Sequence, residues 1–349
     1  MKATKSLAAE AAPHKPEEPR GGSNALRRRP VVGEIARSWR DLTRGGARTL
    51  VACSGGADST ALLLALAAVT SDLVVGHVVH DLRPVEESHA DRDAVEATAG
   101  RLGLPFAQAS VRVRHLRENA EAAARRARYA ALTELATTHR CSCVATAHHA
   151  DDQLESVLMA LLRGAGPAGL RGVAAKRRLE GGVTLIRPML NITRDQARSL
   201  CRAAEVAWSE DLTNLDSRRL RAALRQGPLA ELTRLAPHGA LRASRTASLL
   251  RQSAALVGQR ACEVFGGAES WPRARLREEL PVVLGEGLRR AAARLLQRRR
   301  MDRLTGAVID PAIRAIRDRS TEPRRFDWPR GLTLVVTTRD VRLESASVK

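Results

Sequence analysis

The chain has 349 residues, enough for two or three domains and for a large core without disulfide or metal staples. It carries 58 basic and 38 acidic residues, a formal net charge of +20. This excess points to a polyanionic partner, because each phosphate that a basic side chain neutralises releases condensed counterions. No apolar run reaches the roughly 18 residues of a membrane span, and no helix pattern has the bulky apolar face of a membrane-surface helix. We therefore expect no membrane partner.

The N-terminal arm and the cysteines bear on where the protein is located. Residues 1–30 are rich in Ala, Pro and Arg and are predicted to form a disordered basic arm. A transit peptide is the alternative, which the acidic residues Glu10, Glu17 and Glu18 disfavour. The five cysteines contain no C-x-x-C pair, so no zinc ribbon or iron–sulfur site is encoded locally. Their number is typical of the reducing cytosol, and we expect a cytoplasmic protein.

After the arm, helices and apolar strands alternate. The predicted strands are 48–53, 73–79, 106–113 and 143–146, and the predicted helices are 32–39, 59–69, 86–102, 120–139 and 152–162. Almost continuously apolar strands that alternate with helices are typical of a parallel sheet covered on both faces, which is an α/β fold. Ligands of such sheets bind beyond the carboxyl ends of the strands.

The chain changes in character near Arg218. From there it is mostly helical and dense in arginine, with a run at 298–300, and it ends in a strand-like segment at 332–343. We predict a catalytic domain over residues 31–217. A mainly α-helical, basic domain is predicted over residues 218–349.

A glycine-rich loop lies between the first predicted strand and the next helix, and its residues are Ser54, Gly55, Gly56, Ala57, Asp58 and Ser59. Paired glycines let backbone N–H groups turn toward a phosphate at the positive end of a helix. There is no G-K-[ST] string and no lysine between Lys15 and Lys176, which excludes a kinase- or GTPase-type loop. A carboxylate would repel phosphate, so Asp58 is predicted to hold Mg²⁺. The alternative is an ordinary turn capped by Asp58 or Ser59.

A second polar group follows the second predicted strand. His77 and His80 are three residues apart and point to opposite faces of a strand, so they do not form a metal pair. His80, Asp81 and Arg83 are expected at the carboxyl end of the strand, beside the phosphate site. His77 is predicted to be a core residue with satisfied hydrogen bonds.

A third group follows the fourth predicted strand and contains His148, His149, Asp151, Asp152 and Glu155. Asp152 with Glu155 three residues later is the pattern of a capping box, which is the structural alternative. A cap needs only one aspartate, however. A second carboxylate facing Asp58 across the sheet edge would complete a Mg²⁺–pyrophosphate site, and we predict that role for Asp152.

A fourth group, Arg125, Arg126 and Arg128 before Tyr129, lies on the predicted helix 120–139. Such runs usually form a solvated charged face. Tyr129 is the only tyrosine in the chain, which adds some interest to the segment.

Together these segments resemble the PP-loop ATP pyrophosphatases and, within them, the tRNA(Ile)-lysidine synthetases. The strings that carry the resemblance are SGGADS, HVVHDLR, AARRARY, VATAHHADDQLESVLMALLRGAGPAGLRGV, LIRPMLNITRDQARSLC and WSEDLTN, over residues 48–230. The resemblance implies an adenine nucleotide alpha hydrolase-like catalytic domain followed by a tRNA-binding domain. It also implies that His80 and Arg83 bind ATP together with the loop, and that His148 and Asp151 join Asp58 and Asp152 in catalysis.

The resemblance also implies a reaction. In that family, ATP adenylates the carbon-2 oxygen of the wobble cytidine in an isoleucine tRNA with a CAU anticodon. The amine of free L-lysine then attacks that carbon and expels AMP. The expected cofactors are ATP and Mg²⁺, and the expected partners are this tRNA and free L-lysine. A homodimer stays open.

Three other functions were weighed. A PP-loop tRNA cytidine 2-thiolation enzyme is the main alternative, but its usual C-x-x-C pairs are absent. A PP-loop ligase acting on small molecules would not need the +20 charge. A non-catalytic RNA-binding protein would not need Asp58 and Asp152 beside a glycine loop.

One block departs from the family pattern. The family has an arginine–asparagine block close to R-N-R-I-R at this point, and residues 218–225 instead read RRLRAALR, without the asparagine. Either the neighbouring arginines replace the block or its contact is lost. The difference concerns tRNA or lysine binding rather than the chemistry on ATP.

Overall fold

The structure, a computed structural model, describes residues 22–81, 85–112, 120–209, 223–224, 227–296 and 304–345. The chain divides into two compact units. Unit 1 comprises Met1–Asp152 and Ala174–Leu241, and unit 2 comprises Gln153–Val173 and Arg242–Lys349. Several predicted features lie outside the described residues, namely the arm up to residue 21, Arg83, the domain boundary at 217/218, most of the arginine block 218–225 and the arginine run 298–300.

From Gly22 to Ala203 the elements are α1 (Gly22–Arg27), α2 (Pro30–Thr43), β1 (Thr49–Ala52), α3 (Ala57–Ala67), β2 (Leu73–His80), α4 (Val85–Arg101), β3 (Phe106–Val111), α5 (Ala120–Thr138), β4 (Cys143–Ala145), α6 (Ala150–Leu162), α7 (Pro167–Leu170), β5 (Lys176–Arg178), β6 (Thr184–Ile186) and α8 (Arg194–Ala203). The strands form one sheet in the order β3-β2-β1-β4-β6-β5. Only β5 runs antiparallel to its neighbour among the described strands of this sheet.

The core of unit 1 lies on both faces of this sheet. Alternate residues of a strand point to opposite faces, so Leu50 and Val51 of β1 join different clusters. Leu50 packs with Leu132 of α5 on one face, and Val51 packs with Leu62 of α3 on the other. All four side chains are almost fully buried. Burial on both faces explains why these strands are continuously apolar.

The predicted α/β architecture is confirmed. Each strand and helix predicted between residues 32 and 162 is present, with ends shifted by a few residues. Five elements were not predicted, namely α1, α7, β5, β6 and α8, and α1 forms a helix at Gly22–Arg27 within the arm that was predicted to be disordered. The two strands have three residues each, too few for a periodicity to appear. α8 does carry a signal, because Thr193 and Gln196 form a complete capping box at its start.

The later elements are α9 (Pro228–Leu235), α10 (Gly239–Phe265), β7 (Ser270–Pro272), α11 (Arg273–Arg277), α12 (Pro281–Leu295), α13 (Gly306–Arg317), β8 (Arg324–Trp328), β9 (Leu332–Val336) and β10 (Asp340–Ser345). The predicted mainly helical character of this region is confirmed. None of the described helices has the length and apolar character that crossing a bilayer requires. In unit 2, Phe265 and Trp271 lie 4.9 Å apart by ring centroids, within the hydrophobic core.

The C-terminal segment differs from its prediction. Residues 332–343 were expected to form one strand-like segment, and they form the hairpin of β9 and β10 instead. The backbone N–H of Thr337 donates to the carbonyl of Asp340 at 2.8 Å and closes the turn. β7 and β8 complete an antiparallel sheet in the order β7-β10-β9-β8. The turn at residues 337–340 is polar but contains neither glycine nor proline, so the sequence does not mark it as a tight turn.

A buried arginine fixes unit 2 internally. Arg273, at the start of α11, has 4% of its surface exposed. Its guanidinium donates hydrogen bonds of 2.7–3.2 Å to the carbonyls of Ala315, Ile316, Asp318, Ser320 and Thr337 and to the carboxylate of Asp318. A buried charge is tolerated when its donors are satisfied in this way.

Candidate active site

The glycine-rich loop joins β1 to α3 at the carboxyl edge of the sheet. Gly55 has φ +88°, a left-handed backbone conformation that favours glycine. Gly56 is extended and precedes the first turn of α3. The first N–H groups of a helix have no partner within the helix, so α3 leaves donors at this loop. Such donors, with the positive end of the helix dipole, are suited to phosphate.

Ser59 holds the loop together from within. Its hydroxyl accepts from the backbone N–H of Ser54 at 3.1 Å and donates to the carbonyl of Gly56 at 2.9 Å. The Ser59 side chain is buried, whereas Ser54 is exposed. Ser59 therefore shapes the loop, and its hydroxyl also lies 3.2 Å from the hydroxyl of the exposed Ser54.

A later segment of unit 1 clamps the same loop. The backbone N–H of Ser209 donates to the carbonyl of Gly55 at 3.0 Å. The hydroxyl of Ser209 donates to the carboxylate of Asp91 on α4. Ser209 belongs to the string WSEDLTN, of which residues 210–214 lie outside the described part. Ser209 therefore links the loop to α4.

Three carboxylates surround the imidazole of His149, between β4 and α6. Nε2 of His149 lies 3.3 Å from Oδ2 of Asp58 and 3.6 Å from Oδ2 of Asp152. Nδ1 lies 3.3 Å from Oδ2 of Asp151. The His149 side chain is 1% exposed, and that of Asp58 is 35% exposed. The loop after β1 and the segment after β4 therefore meet at the sheet edge.

The carboxylates decide the charge of His149. Burial alone would lower its pKa, but the contacts with Asp151 and Asp58 and the charge of Asp152 outweigh burial and raise the pKa to about 10. The imidazole is therefore protonated at neutral pH. Burial opposes ionisation of Asp151, yet His149 and the backbone N–H of Arg194, which donates at 2.8 Å, lower the pKa of Asp151 overall.

The start of α6 differs from the predicted capping box. The helix begins at Ala150, so Asp152 is its third residue rather than its cap. The carboxylate of Asp152 accepts from the backbone N–H of His149 at 3.0 Å. The structural alternative, in which Asp152 caps the helix with Glu155, therefore does not hold, because the helix begins before Asp152. Glu155 is buried on α6.

His148 has a different environment from His149. Its Nδ1 lies 3.1 Å from the hydroxyl of Thr146. Its pKa is lowered to about 3, mainly by burial. The charge of Asp152 raises the pKa, and the charges of Arg187 and Arg125 lower it. His148 is therefore neutral at physiological pH. A base with so low a pKa takes up protons poorly.

The remaining predicted residues can be placed in part. His77 is buried, with Nδ1 2.9 Å from the carbonyl of Cys53, which confirms it as a satisfied core residue. His80 ends β2 at the expected edge of the sheet, and its side chain lies outside the described part, as does Arg83.

The sequence alone does not identify His149 as the centre of the site, because it is adjacent to His148 and residue type does not distinguish the two. The available signal was position: His149 directly precedes α6 and faces the carboxylates on its first turn. Its contact with Asp58 depends on β1 and β4 being neighbours, which the sequence does not specify.

The site fits a divalent cation that takes few ligands from protein. Oδ1 of Asp58 is buried and accepts no hydrogen bond. Within the described residues, no group of three or more His, Cys, Asp or Glu side chains is arranged to hold a metal. Mg²⁺ needs only one or two carboxylates when phosphate oxygens and water complete its shell. Asp58 and Asp152 could supply them.

The PP-loop domain family matches residues 31–232, more than half of the chain. The chain belongs to the PP-loop family. The matched range includes the glycine loop at residues 54–59 and the carboxylates around His149. ATP binding follows from this membership.

Two curated relatives and one solved structure are similar to this PP-loop protein. The chain is 40% identical over 223 residues to a tRNA(Ile)-lysidine synthase of Geobacter sulfurreducens, a match that covers 62% of this chain and 46% of the relative. It is 44% identical over 229 residues to a tRNA(Ile)-lysidine synthase of Ralstonia nicotianae, covering 61% and 47%. The chain thus spans about half the length of these curated relatives.

The solved structure is that of the U34-tRNA thiolase NcsA from Methanococcus maripaludis. It has a TM-score of 0.50 at 16% identity and covers 63% of this chain and 80% of that chain. At this identity the similarity concerns the PP-loop fold alone.

Proposed function

We propose that the protein ligates free L-lysine to carbon 2 of the wobble cytidine in tRNA(Ile) with a CAU anticodon, at the expense of ATP. The observation that carries the proposal is the meeting of Asp58, in the PP-loop, with Asp152, across the buried imidazole of His149. The names of the curated relatives support the choice of substrates.

The reaction has two steps. The carbon-2 oxygen of cytidine attacks the α-phosphorus of ATP, and pyrophosphate leaves. The lysine amine then attacks carbon 2, loses a proton, and AMP leaves with the oxygen. An anticodon loop allows the base to leave its stack at low cost. Donors at the start of α3 and the hydroxyl of Ser54 stabilise the charge that develops on the departing pyrophosphate.

Proton transfer falls to the carboxylates in this proposal. The attacking amine must be deprotonated, and His148 is a poor base because its pKa is about 3. His149 already carries its proton. Asp151 and Asp152 lie on the first turn of α6 with partly exposed side chains, so their charges can bind the lysine ammonium. Asp152 accepts its proton, because the pKa of Asp151 is itself lowered.

Mg²⁺ is part of the proposal. The residues that would hold it are Asp58, through its buried unpartnered Oδ1, and Asp152. When bound, the ion would neutralise phosphate charge and permit a carboxylate inside a phosphate-binding loop.

Four of the five cysteines favour lysidine formation over the thiolation alternative, whereas the fifth, Cys262, is exposed. Sulfur transfer needs a reactive thiolate or a cluster ligand. Cys53, Cys141, Cys143 and Cys201 are buried, and burial raises the pKa of each thiol, that of Cys201 to about 12. These four thiols stay protonated at neutral pH.

The basic second half is proposed to bind the tRNA. In its described part, α10 carries four arginines, and its one acidic residue, Glu263, lies near the C-terminal end. Arg242 and Arg245 are exposed near its start, one helical turn apart. Such a helix suits a phosphate backbone. We place the protein in the cytoplasm, where tRNA is modified, and a homodimer stays open.

The test combines product analysis with substitution. The protein is incubated with ATP, lysine and a CAU-anticodon tRNA(Ile) transcript, and the digested tRNA is examined by mass spectrometry for cytidine joined to lysine. We expect Asp58→Asn and Asp152→Asn each to slow AMP formation by about 10²-fold or more while the circular dichroism spectrum is kept.

Asp72→Asn is the matched control, since the side chain of Asp72 is exposed and contacts Arg48 at the surface at 3.4 Å. It should leave the rate unchanged. A sulfur-containing cytidine, or turnover on a free nucleotide without tRNA, would contradict the proposed function. Near-normal rates in either site variant would remove that residue from the site.

A further inference from the structure

Three arginines surround the single tyrosine of the chain in unit 1. Tyr129, on α5, is 9% exposed. Arg125 donates to its hydroxyl at 3.3 Å, and the Cζ atom of Arg125 lies 5.3 Å from the ring centroid. Arg177, on β5, lies with Cζ 4.8 Å from the same centroid. Arg187, just after β6, donates to the hydroxyl at 3.5 Å.

No acidic side chain of the described residues forms an ion pair with this arginine cluster, defined as Arg125, Arg177 and Arg187. Arginines so placed repel one another unless an anion is near. Tyr129 offers them only a ring face and one hydroxyl oxygen, which carry no formal charge. The cluster therefore holds three positive charges and lacks a counterion from the described part of the chain.

Among the described residues, Arg187 shows most clearly that the arginine cluster lacks a counterion and one hydrogen-bond partner. It is 3% exposed, and its Nε is buried without a hydrogen-bond partner, although Nη1 donates to the carbonyl of Ala174 at 2.6 Å. Buried donors are almost always paired. Burial lowers the pKa of Arg187, and the charges of Arg125 and Arg177 lower it further. The contact with the Tyr129 hydroxyl acts in the opposite direction and raises the pKa.

The cluster borders the candidate active site. Arg187 follows β6, whose parallel neighbour β4 leads into His148 and His149 at the same sheet edge. His148 responds to the charges of Arg187 and Arg125 as well as to that of Asp152. One carboxylate and two guanidinium groups are therefore close enough to His148 to act on its charge.

We propose that the arginine cluster is a binding site for an oxyanion, either the carboxylate of an amino acid or a phosphate group. Guanidinium groups bind both through paired N–H donors. Arg125 and Arg177 are exposed, so an ion can reach them from solvent, while Arg187 is fixed beneath. The proposal that the ion belongs to a reactant rests on the proposed function. The proposal that an oxyanion binds to the cluster does not depend on it.

The test uses two double variants that change the same net charge. Arg125→Gln with Arg177→Gln removes the two exposed members of the cluster. Arg126→Gln with Arg178→Gln removes the next residue in each element, both exposed, and is the control. Calorimetric titrations of the full chain, without ATP or tRNA, use L-lysine, lysinamide and inorganic phosphate as probes.

We expect at least one oxyanion to bind the first double variant about tenfold or more weakly than the control. If the first double variant loses affinity for L-lysine, and lysinamide binds weakly to every protein, the site binds a carboxylate. If it loses affinity for inorganic phosphate, the site binds a phosphate group. Equal affinities in the two double variants, or no binding of either anion to the unaltered protein, would overturn the proposal.

A further variant separates ion binding from structural support. Tyr129→Phe removes the shared hydroxyl acceptor and keeps the ring. If the arginines only support the fold, the melting temperature of Tyr129→Phe falls and added anion does not raise it again. If they bind an oxyanion, the anion raises the melting temperature of the unaltered protein and of the control, but not of the first double variant. A protein that binds the anion yet makes no lysidine would leave this site in place and refute the proposed function alone.

Discussion

Replacing His149 with glutamine tests whether its proton holds the three carboxylates together. The pKa of His149 is about 10, which is about three to four pH units above the ordinary histidine value of about 6.5. A group whose pKa is raised on folding stabilises the fold fully below its unfolded pKa, and this contribution is lost as pH rises through the folded pKa. The window for His149 is therefore roughly pH 6.5 to 10.

The size of the effect follows from the same shift. Each pH unit corresponds to about 1.4 kcal/mol, so the proton contributes at most about 5 kcal/mol to the stability of unit 1. Asp58 is 35% exposed, and solvent screens part of the attraction. We therefore expect roughly half of that maximum. The glutamine variant should be less stable at pH 7, and its deficit should shrink toward pH 10.

The assay is urea unfolding without Mg²⁺ or nucleotide at several pH values. Hydrogen exchange in peptides from β1 and α3, measured by mass spectrometry, reports on unit 1 rather than on the whole chain. Other groups titrate in this range, so the informative quantity is the difference between the unaltered protein and His149→Gln. A difference that stays constant from pH 7 to pH 10 would refute the view that an imidazolium neutralises the site.

The remaining predictions concern the scaffold and the tRNA surface. Gly76→Ala should destabilise unit 1 by about 1–3 kcal/mol, because the new Cβ would lie 2.7 Å from Cδ2 of the fully buried Leu50; urea unfolding measures the loss, and an unchanged midpoint would contradict it. Thr193→Ala removes the capping box of α8 and should cost about 1 kcal/mol in the same assay; serine at this position should restore most of it. Replacing Arg242 and Arg245 by glutamine should weaken tRNA binding and reduce the slope of log affinity against log salt by about one to two; an unchanged slope would mean that this end of α10 is only a solvated face.

The sheet and the glycine loop could be predicted because their signals are local. An apolar run followed by paired glycines and an alanine–leucine helix predicts β1, the loop and α3 within a few residues. The positions of Asp58 and Asp152 at the sheet edge follow from their places after two strands. The hairpin of β9 and β10 was not predicted, because its turn contains neither glycine nor proline.

The contacts inside the site could not be predicted, because they join distant segments. His149 meets Asp58 only because β4 is inserted beside β1, and strand order is not written in the periodicity of either strand. The arginine cluster depends on α5, β5 and the end of β6, and two of these elements are too short to recognise. Reading Arg125 as part of a solvated face was reasonable from its helix alone, since its aromatic partner is shared with arginines far along the chain.

The buried guanidinium of Arg273 also constrains how unit 2 is made on the ribosome. Synthesis proceeds from the N-terminus, so Arg273 emerges well before its acceptors, the last of which is the carbonyl of Thr337. Until that carbonyl is available, the guanidinium cannot be buried without unsatisfied donors, which is costly. Burial of Arg273 with all of these acceptors in place therefore requires the chain to have been synthesised through Thr337, one residue beyond β9.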